Sequence, residues 1–201
     1  MKSLKILSVL GTVNQESLSE KLNNEIVKQL MHEHPNSTLT RLDTSNSQFA
    51  NNSLTAANFD QFFKDVESDK WIEQLHNSDV LVLSTPMTNF SYSAGIKNFI
   101  DAIAVANKTF SYKYSTKGGS VGLLKNLKVV ILATQGAPLG WYPFAGFVDT
   151  LKGIFEFFGV KQIETLLVDG NKVEPRSKQS HEQIIAEVKS ELDKIVQKLE
   201  L

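Results

Sequence analysis

The sequence alternates short apolar runs with longer amphipathic segments, and this alternation limits the folds open to the chain. Short runs rich in Val, Ile and Leu predict buried strands, whereas apolar residues at every third or fourth position predict helices. The predicted strands cover residues 6–10, 38–42, 80–83, 129–133 and 163–168. The predicted helices cover residues 17–34, 59–76, 94–106, 144–158 and 180–201.

Strands that alternate with helices build parallel sheets, because each helix carries the chain back to the edge where the strands start. We therefore predict an α/β fold, a doubly wound parallel sheet of about five strands with helices on both faces. Residues 38–42 are expected at a sheet edge, and the Asn- and Ser-rich residues 43–58 predict a long loop. No repeat or linker interrupts residues 1–201, which predicts a single domain.

Composition excludes several classes of function. Hydrophobic residues make up 41% and charged residues 21%, as in ordinary globular proteins. The formal net charge of -1 argues against a nucleic-acid partner and against a strongly acidic electron carrier. The absence of cysteine excludes thiolate chemistry and is compatible with a reducing compartment, so we expect a cytoplasmic protein. The apolar run at residues 6–10 is too short for a signal peptide or a membrane span.

The loop after the first predicted strand is rich in hydroxyls and opens a helix. Free N–H groups at a helix N-terminus, beside the hydroxyls of Ser17 and Ser19, predict a phosphate site. Ser17 and Glu20 also fit a capping box, so helix capping alone is an open alternative. The chain's arginines, Arg41 and Arg176, do not sit at a strand end. The sequence therefore predicts an anion held by amides and hydroxyls rather than by a guanidinium.

A stiff loop follows the third predicted strand. Pro86 fixes its own φ and restrains the preceding residue to extended geometry. We expect the N–H groups of Met87, Thr88 and Asn89 to face the ligand crevice. The Asn89 amide and the apolar surfaces of Met87 and Phe90 would then suit a planar heterocycle with a polar edge. A simple turn, with Phe90 in the core, is the open alternative.

The loop after the fourth predicted strand is a third polar turn at the same edge. It contains Thr134, Gln135 and Gly136, and the glycine permits close approach of a ligand to the backbone. A plain connection between strand and helix is the alternative. The histidines lack metal-ligand spacing and no G-x-S-x-G elbow occurs, so we predict no metal site and name no catalytic side chain.

Five stretches of the sequence together form a specific pattern. They are Ser17-Leu18-Ser19, Pro86-Met87-Thr88-Asn89-Phe90, Ile96-Lys97-Asn98-Phe99-Ile100-Asp101, Thr109-Phe110-Ser111-Tyr112, and Gly118-Gly119 with Gly122-Leu123. In these stretches, and over nearly its whole length, the chain resembles the FMN-dependent NADH-azoreductases of bacteria, flavodoxin-like oxidoreductases related to the quinone reductases. The resemblance implies a flavodoxin-like fold and one FMN-binding domain over residues 1–201.

The resemblance also implies a function and a site. NADH would donate two electrons through FMN to a quinone or azo compound in a ping-pong order, within a homodimer whose active site lies at the interface. Ser17, Leu18 and Ser19 would bind the FMN phosphate, with Thr12 nearby. The isoalloxazine would contact Met87, Thr88, Asn89 and Phe90, and its pyrimidine side would face Thr134, Gln135 and Gly136.

One residue and one turn depart from the family pattern. The family commonly has tyrosine where this chain has Thr88, and its Ser-Arg-Gly-Gly turn is Thr134-Gln135-Gly136-Ala137 here. The loss of an aromatic ring and a guanidinium bears on the flavin potential and on the preferred acceptor.

Two other flavin-dependent functions stay open. One is a flavodoxin-type electron carrier, which the near-neutral charge disfavours but Trp141 and Tyr142 keep possible. The other is an NAD(P)H:flavin or quinone reductase without azo activity. The expectation of a homodimer also rests on the apolar residues 144–158 and the aromatic residues 110–114.

Overall fold

The computed structural model describes residues 2–113 and 119–201. In chain order the elements are β1 (Lys5–Leu10), α1 (Leu18–Glu33), β2 (Thr38–Asp43), α2 (Phe59–Asp65), α3 (Ser68–Asn77), β3 (Val80–Pro86), α4 (Ala94–Ile103), β4 (Phe110–Ser111), β5 (Val121–Gly122), β6 (Lys128–Thr134), α5 (Phe147–Phe157), β7 (Gln162–Val168), α6 (His181–Glu187) and α7 (Lys189–Lys198). Short 3₁₀ helices lie at Thr44–Asn46, Gln48–Ala50 and Arg176–Lys178.

The central sheet is parallel and has 5 strands in the order β2-β1-β3-β6-β7. After β2 the chain crosses back over β1 to form β3, so the direction of winding reverses at the β1–β3 pair. Such a switch point leaves a crevice at the carboxyl ends of the strands, where ligands of this architecture bind. The predicted fold class is confirmed, and β2 lies at an edge as expected.

Helices cover both faces of the sheet. On one face α1, α6 and α7 pack against the strands, with Leu22 and Leu192 fully buried. On the other face α2, α3, α4 and α5 pack against the strands, with Phe99 and Phe155 fully buried. Because apolar residues cover both surfaces, the inner strands β1, β3 and β6 read as nearly continuous apolar runs in the sequence.

Several predicted helix boundaries were wrong. The predicted helix at 59–76 is two helices, because Glu67 adopts a left-handed φ of 52° between α2 and α3. The predicted helix at 180–201 is interrupted at Val188, between α6 and α7. In both cases apolar residues on each side of the break face the same core, so the periodicity continues across it. The predicted loop at 43–58 contains two of the 3₁₀ helices.

A short antiparallel ribbon of β4 and β5 lies beside α5. Gly159 follows α5 with a φ of 95°, which confirms the predicted end of that helix. A Cβ on Gly122 would lie 2.0 Å from the Gly159 nitrogen, so this contact requires glycine. Gly118, from the family pattern, lies outside the described residues. So does Tyr114, from the aromatic segment 110–114. None of the helices that the structure describes is both long and apolar enough to cross a membrane.

Candidate functional site

Tight backbone packing fixes the path of the chain out of β1. The Gly11 N–H donates to the Ser84 carbonyl oxygen at 2.7 Å, which ties the end of β1 to β3. A Cβ on Gly11 would lie 2.4 Å from the Ile96 side chain and 2.8 Å from the Ser93 hydroxyl. Glycine is therefore required here, because it lets the loop lie directly against the N-terminus of α4.

Ser17 is the N-cap of α1, as the sequence predicts. Its hydroxyl oxygen accepts a hydrogen bond from the Glu20 N–H at 3.3 Å, and it lies 2.9 Å from the Ser19 hydroxyl. Both serines are buried. The bond from the Ser17 N–H to the Glu20 side chain, which would complete the capping box, is not found in the described part of the chain.

The first turn of α1 presents unused donors at the crevice. In the described residues, the N–H groups of Leu18 and Ser19 have no acceptor in the protein, as is usual for the first turn of a helix. These donors lie at the positive end of the helix dipole, beside two hydroxyls. The chemistry of this set suits an anion such as a phosphate.

A buried polar network holds α1 against the strands behind this turn. Asn23, fully buried in α1, donates from its amide to the Val82 carbonyl oxygen at 3.0 Å and to the Ser84 hydroxyl at 3.3 Å. The Ser8 hydroxyl donates to the Asn23 side-chain oxygen at 2.7 Å. The network joins α1 to β1 and β3, so the ends of the strands set the position of the α1 N-terminus.

The chain after β3 forms a tight hairpin. The Thr88 N–H donates to the Ser91 carbonyl at 2.7 Å, and the Ser91 N–H donates back to Thr88 at 3.2 Å. Between them Asn89 and Phe90 have φ values of 46° and 72°. Positive φ at both central residues is the pattern of a type I′ turn. Asparagine tolerates it, whereas an aromatic residue rarely adopts it.

This hairpin corrects two expectations about the loop. The Met87 N–H donates to the Thr134 carbonyl at 2.7 Å, and the Thr88 N–H closes the hairpin, so neither faces the crevice as a free donor. That part of the prediction was wrong, because these donors are used to fasten the loop to β6 and to itself. The alternative with Phe90 in the core was also wrong, since its side chain is 46% exposed.

The loop after β6 is joined to the loop after β7 by backbone hydrogen bonds. Gln135 donates to the Val168 carbonyl at 3.0 Å and accepts from the Asn171 N–H at 3.2 Å. The Lys172 N–H donates to the Gly136 carbonyl at 2.8 Å. The Gln135 amide nitrogen donates to the Ala137 carbonyl at 2.9 Å, so this side chain supports its own loop.

A cleft of about 560 Å³ lies where these loops meet. It is bounded by the α1 N-terminus, the ends of β3 and β6, the loop after β7, and the start of α6. The predicted site residues that line it are Ser17, Leu18, Met87, Thr134, Gln135 and Gly136. The structure therefore brings together residues that lie more than a hundred positions apart in the sequence.

The other predicted site residues lie beside this cleft. Ser19 is buried against Ser17, and Thr88 to Phe90 form the hairpin beyond Met87. Thr12 lines a neighbouring groove of about 410 Å³, which shares Asn14 with the main cleft. The Thr12 carbonyl oxygen accepts a hydrogen bond from the Ser45 hydroxyl.

The loop after β7 contributes residues that the sequence analysis missed. Lys172 and Arg176 line the cleft together with Asn171, Gln179 and His181. Arg176 thus brings a guanidinium to the cleft although it follows no strand directly, and the expectation that amides and hydroxyls hold the anion stays a prediction. The sequence signal that could have found this loop is its place after the last strand, at the same sheet edge.

Carboxylates surround Arg176. Its guanidinium donates to the Asp169 carbonyl oxygen at 2.7 Å and to Glu187 at 3.2 Å, and lies 3.4 Å from the Asp169 carboxylate. The pKa of Glu187 is lowered, first by the hydrogen bond from Gln179 and then by the one from Arg176. Asp169 also accepts from the Leu139 N–H, so it connects both loops. Arg176 thus braces the wall of the cleft.

An exposed aromatic patch, formed by Phe90, Tyr142 and Phe144, lies beside the hairpin. The Phe90 ring centroid is 5.1 Å from that of Tyr142 and 5.0 Å from that of Phe144. Their exposed fractions are 46%, 39% and 71%. Leu139 and Trp141, in the same loop as Tyr142, are also exposed. An apolar surface of this kind is typical of an interaction site.

Comparison with known proteins identifies the family. A model of the flavodoxin-like fold matches residues 4–194. The chain is 47% identical over 157 residues to the FMN-dependent NADH:quinone oxidoreductase of Malacoplasma penetrans, covering 78% of this chain and 74% of that protein. It is 43% identical over 190 residues to the FMN-dependent NADH:quinone oxidoreductase 1 of Mesoplasma florum, covering 94% and 96%.

A solved structure agrees in fold. The FMN-dependent NADH-azoreductase from Bacillus anthracis, in complex with FMN, superposes with a TM-score of 0.75 at 19% identity, covering 99% of each chain. The chain belongs to the flavodoxin-like family that the model and these relatives define. The family resemblance predicted from the sequence is confirmed.

Proposed function

We propose that the protein is an FMN-dependent NADH:quinone oxidoreductase that also accepts azo compounds. The observation that carries the proposal is the shared cleft, where the N-terminus of α1, with its unused donors, meets the loops after β3 and β6. A cofactor with a phosphate at one end and a planar ring at the other matches this arrangement. The names of the relatives at 47% and 43% identity support the same activity.

The donors present fit the phosphate of FMN. Ser17, Leu18 and Ser19 would hold it with hydroxyls and backbone N–H groups, and Thr12 lies in the adjoining groove. Hydrogen bonds to a charged group contribute roughly 1.5–3 kcal/mol each. The α1 N-terminus therefore has enough donors to account for firm binding of a phosphate.

The ring of FMN would occupy the part of the cleft between two loops. Met87 offers apolar surface to the cleft, and Thr134, Gln135 and Gly136 line it as well. We assign Thr88, Asn89 and Phe90 to ring contacts, because the hairpin continues directly from Met87. The Thr88 hydroxyl is buried without a hydrogen-bond partner in the described residues, so its hydrogen-bonding capacity is unused within that part of the chain.

The side chains would bind and orient rather than react. When bound, FMN supplies the chemistry: it takes a hydride from NADH and passes two electrons to the acceptor. The cleft residues would hold the ring, leave one face open for NADH and then the acceptor in turn, and exclude water from the other. No catalytic acid or nucleophile is required, and in the described residues no group of three or more His, Cys, Asp or Glu side chains is arranged to hold a metal.

We further propose that the protein is a homodimer in which a second copy covers the aromatic patch. Phe144, in the patch, is 71% exposed, and Phe157, outside the patch at the end of α5, is 42% exposed; such exposure is costly in water but favourable at an interface. Both lie within residues 144–158, where the sequence predicts an apolar face. The second copy would complete the active site beside Phe90.

Two proposals concern the setting of the activity. Residues 1–201 would form one FMN-binding domain, because both cores pack on the same sheet. The protein would act in the cytoplasm, where the NADH pool that it uses is found.

Steady-state assays with a panel of acceptors test the function. Purified protein loaded with FMN should oxidise NADH when given a quinone, and should decolourise an azo dye at a lower rate. Quinone turnover without azo turnover would restrict the function to a quinone reductase. Bound FMN without turnover of any small acceptor would favour an electron carrier and contradict the proposal.

A further inference from the structure

The side chain of Lys172 covers the loop that lines one side of the cleft. Its N–H donates to the Gly136 carbonyl at 2.8 Å. A Cβ on Gly136 would lie 2.7 Å from the Lys172 Cγ and 3.3 Å from its Cβ. The aliphatic stem of Lys172 therefore lies against Gly136, and this exposed lysine lines the cleft together with Thr134, Gln135 and Gly136.

Lys172 differs from the other cations of its loop. Arg176 is paired with Asp169 at 3.4 Å and with Glu187 at 3.2 Å, and Lys178 is paired with Glu174 at 2.7 Å. In residues 2–113 and 119–201, no carboxylate lies within the 4.0 Å ion-pair distance of the Lys172 ammonium. Of the Lys and Arg side chains lining the cleft in these ranges, Lys172 alone has no carboxylate partner of its own.

We propose that Lys172 is a positioning residue that stabilises the negative charge of the reduced cofactor and so raises the midpoint potential of bound FMN. This rests on the proposed function, because it requires FMN in the cleft with its pyrimidine edge at Thr134, Gln135 and Gly136. Hydride transfer from NADH delivers two electrons and one proton, which releases NAD⁺ and leaves one negative charge on that edge. A quinone then takes the two electrons and two protons, one of them from water, and becomes a hydroquinone.

The physical reason is electrostatic. A cation beside developing charge stabilises the charged state more than the neutral one, and more strongly once the ring excludes water. Lys172 would therefore bind the reduced form more tightly than the oxidised form. A rival role is contact with the FMN phosphate, since Ser17 lines the same cleft. That role would stabilise both redox states equally and leave the potential unchanged.

The test uses three variants of the full chain loaded with FMN. Lys172→Met removes the charge and keeps an unbranched stem over Gly136, whereas Lys172→Arg keeps the charge. Lys178→Met is the matched control, because Lys178 is exposed, is paired with Glu174, and lies in the same loop. Each protein is measured by a spectroscopic redox titration, and its affinities for oxidised FMN and for riboflavin are compared.

The expected result is a fall in potential for Lys172→Met alone. A tenfold loss of affinity for the reduced relative to the oxidised cofactor lowers the midpoint of a two-electron couple by about 30 mV. The potentials of Lys172→Arg and Lys178→Met should match that of the unaltered protein. Oxidised FMN and riboflavin should bind Lys172→Met as tightly as they bind the unaltered protein.

Three results would overturn the inference. An unchanged potential in flavin-loaded Lys172→Met would show that the cation does not act on the ring. Weaker binding of FMN, but not of riboflavin, with an unchanged potential would assign Lys172 to the phosphate. An unaltered protein that binds no FMN would refute the proposed function itself and the inference with it, so the two failures are distinguishable.

Discussion

The two ends of the candidate cleft are built in different ways. At the α1 end, Ser17 and Ser19 are buried and Asn23 anchors the helix to the strands behind them. At the hairpin end, Asn89 and Phe90 have positive φ and lie exposed at the tip of the turn. The α1 end belongs to the core of one chain, whereas under the proposed function the exposed hairpin end would be covered by the cofactor and by a second chain.

The largest expected effect is a loss of stability at the α1 end of the cleft. Asn23→Ala leaves the Ser8 and Ser84 hydroxyls and the Val82 carbonyl without their amide partner in a buried site. The free energy of unfolding should fall by about 2–4 kcal/mol, as unsatisfied buried groups cost 1–3 kcal/mol each. Urea unfolding of the apo-protein measures it. Asn24→Ala is the control, since Asn24 is the next residue in α1 and only accepts a bond from Arg41 near the surface. Equal losses in both variants would contradict the anchoring role.

The next effect separates phosphate binding from helix capping. Ser17→Ala combined with Ser19→Ala should weaken FMN binding at least tenfold, because bonds to a charged group are worth roughly 1.5–3 kcal/mol each. The apo-protein should lose only the cap, about 1 kcal/mol of unfolding free energy. Fluorescence titration with FMN and thermal unfolding measure the two quantities. Collapse of apo stability with unchanged FMN affinity would leave capping as the only role of these serines.

At the hairpin end, Asn89→Asp tests the contact with the ring. Aspartate also tolerates the left-handed conformation, so the turn should persist while a possible donor becomes an acceptor-only carboxylate. Loss of the donor and the new repulsion should cost the reduced state roughly 1–3 kcal/mol. For a two-electron couple this lowers the midpoint potential by about 20–60 mV. A flavin-loaded variant with an unchanged potential would show that Asn89 serves only the turn.

The smallest expected effect concerns the second chain. Phe144→Ser should weaken the dimer about tenfold, as an exposed aromatic side chain of the patch would lose its partner. Monomer stability should change by only about 0.5–1.5 kcal/mol, the value of its aromatic contact with Phe90. Sedimentation over a range of concentrations measures the dimer. Phe59→Ser, an exposed aromatic position on α2, is the control. A fully active monomer of the unaltered protein would refute the shared site.

The difference between the two ends also explains what the sequence could predict. Ser17 could be identified as an N-cap because capping depends on residues three positions apart, and the strands could be located because both faces of the sheet are covered. The type I′ turn at Asn89 and Phe90 was not foreseen, since phenylalanine seldom adopts positive φ. A hairpin closed by only two backbone hydrogen bonds is also too short to show the alternating sequence pattern of paired strands.

The wall formed by the loop after β7 could not be predicted for another reason. Lys172 and Arg176 carry no motif, and they reach the cleft only because β7 ends at the same edge as β6. The break at Glu67 could not be predicted from the apolar periodicity, because α2 and α3 bury apolar residues against the same core. Periodicity records which face of a segment is buried, and it does not record where the backbone turns.

The most direct test of the proposed function is an anaerobic titration of the purified protein with NADH, followed in the visible spectrum. We expect a yellow protein whose bound flavin is bleached by about one equivalent of NADH and recovers its colour when a quinone is added. A protein that binds no FMN, or one whose bound FMN is not bleached by NADH, would refute the proposed function.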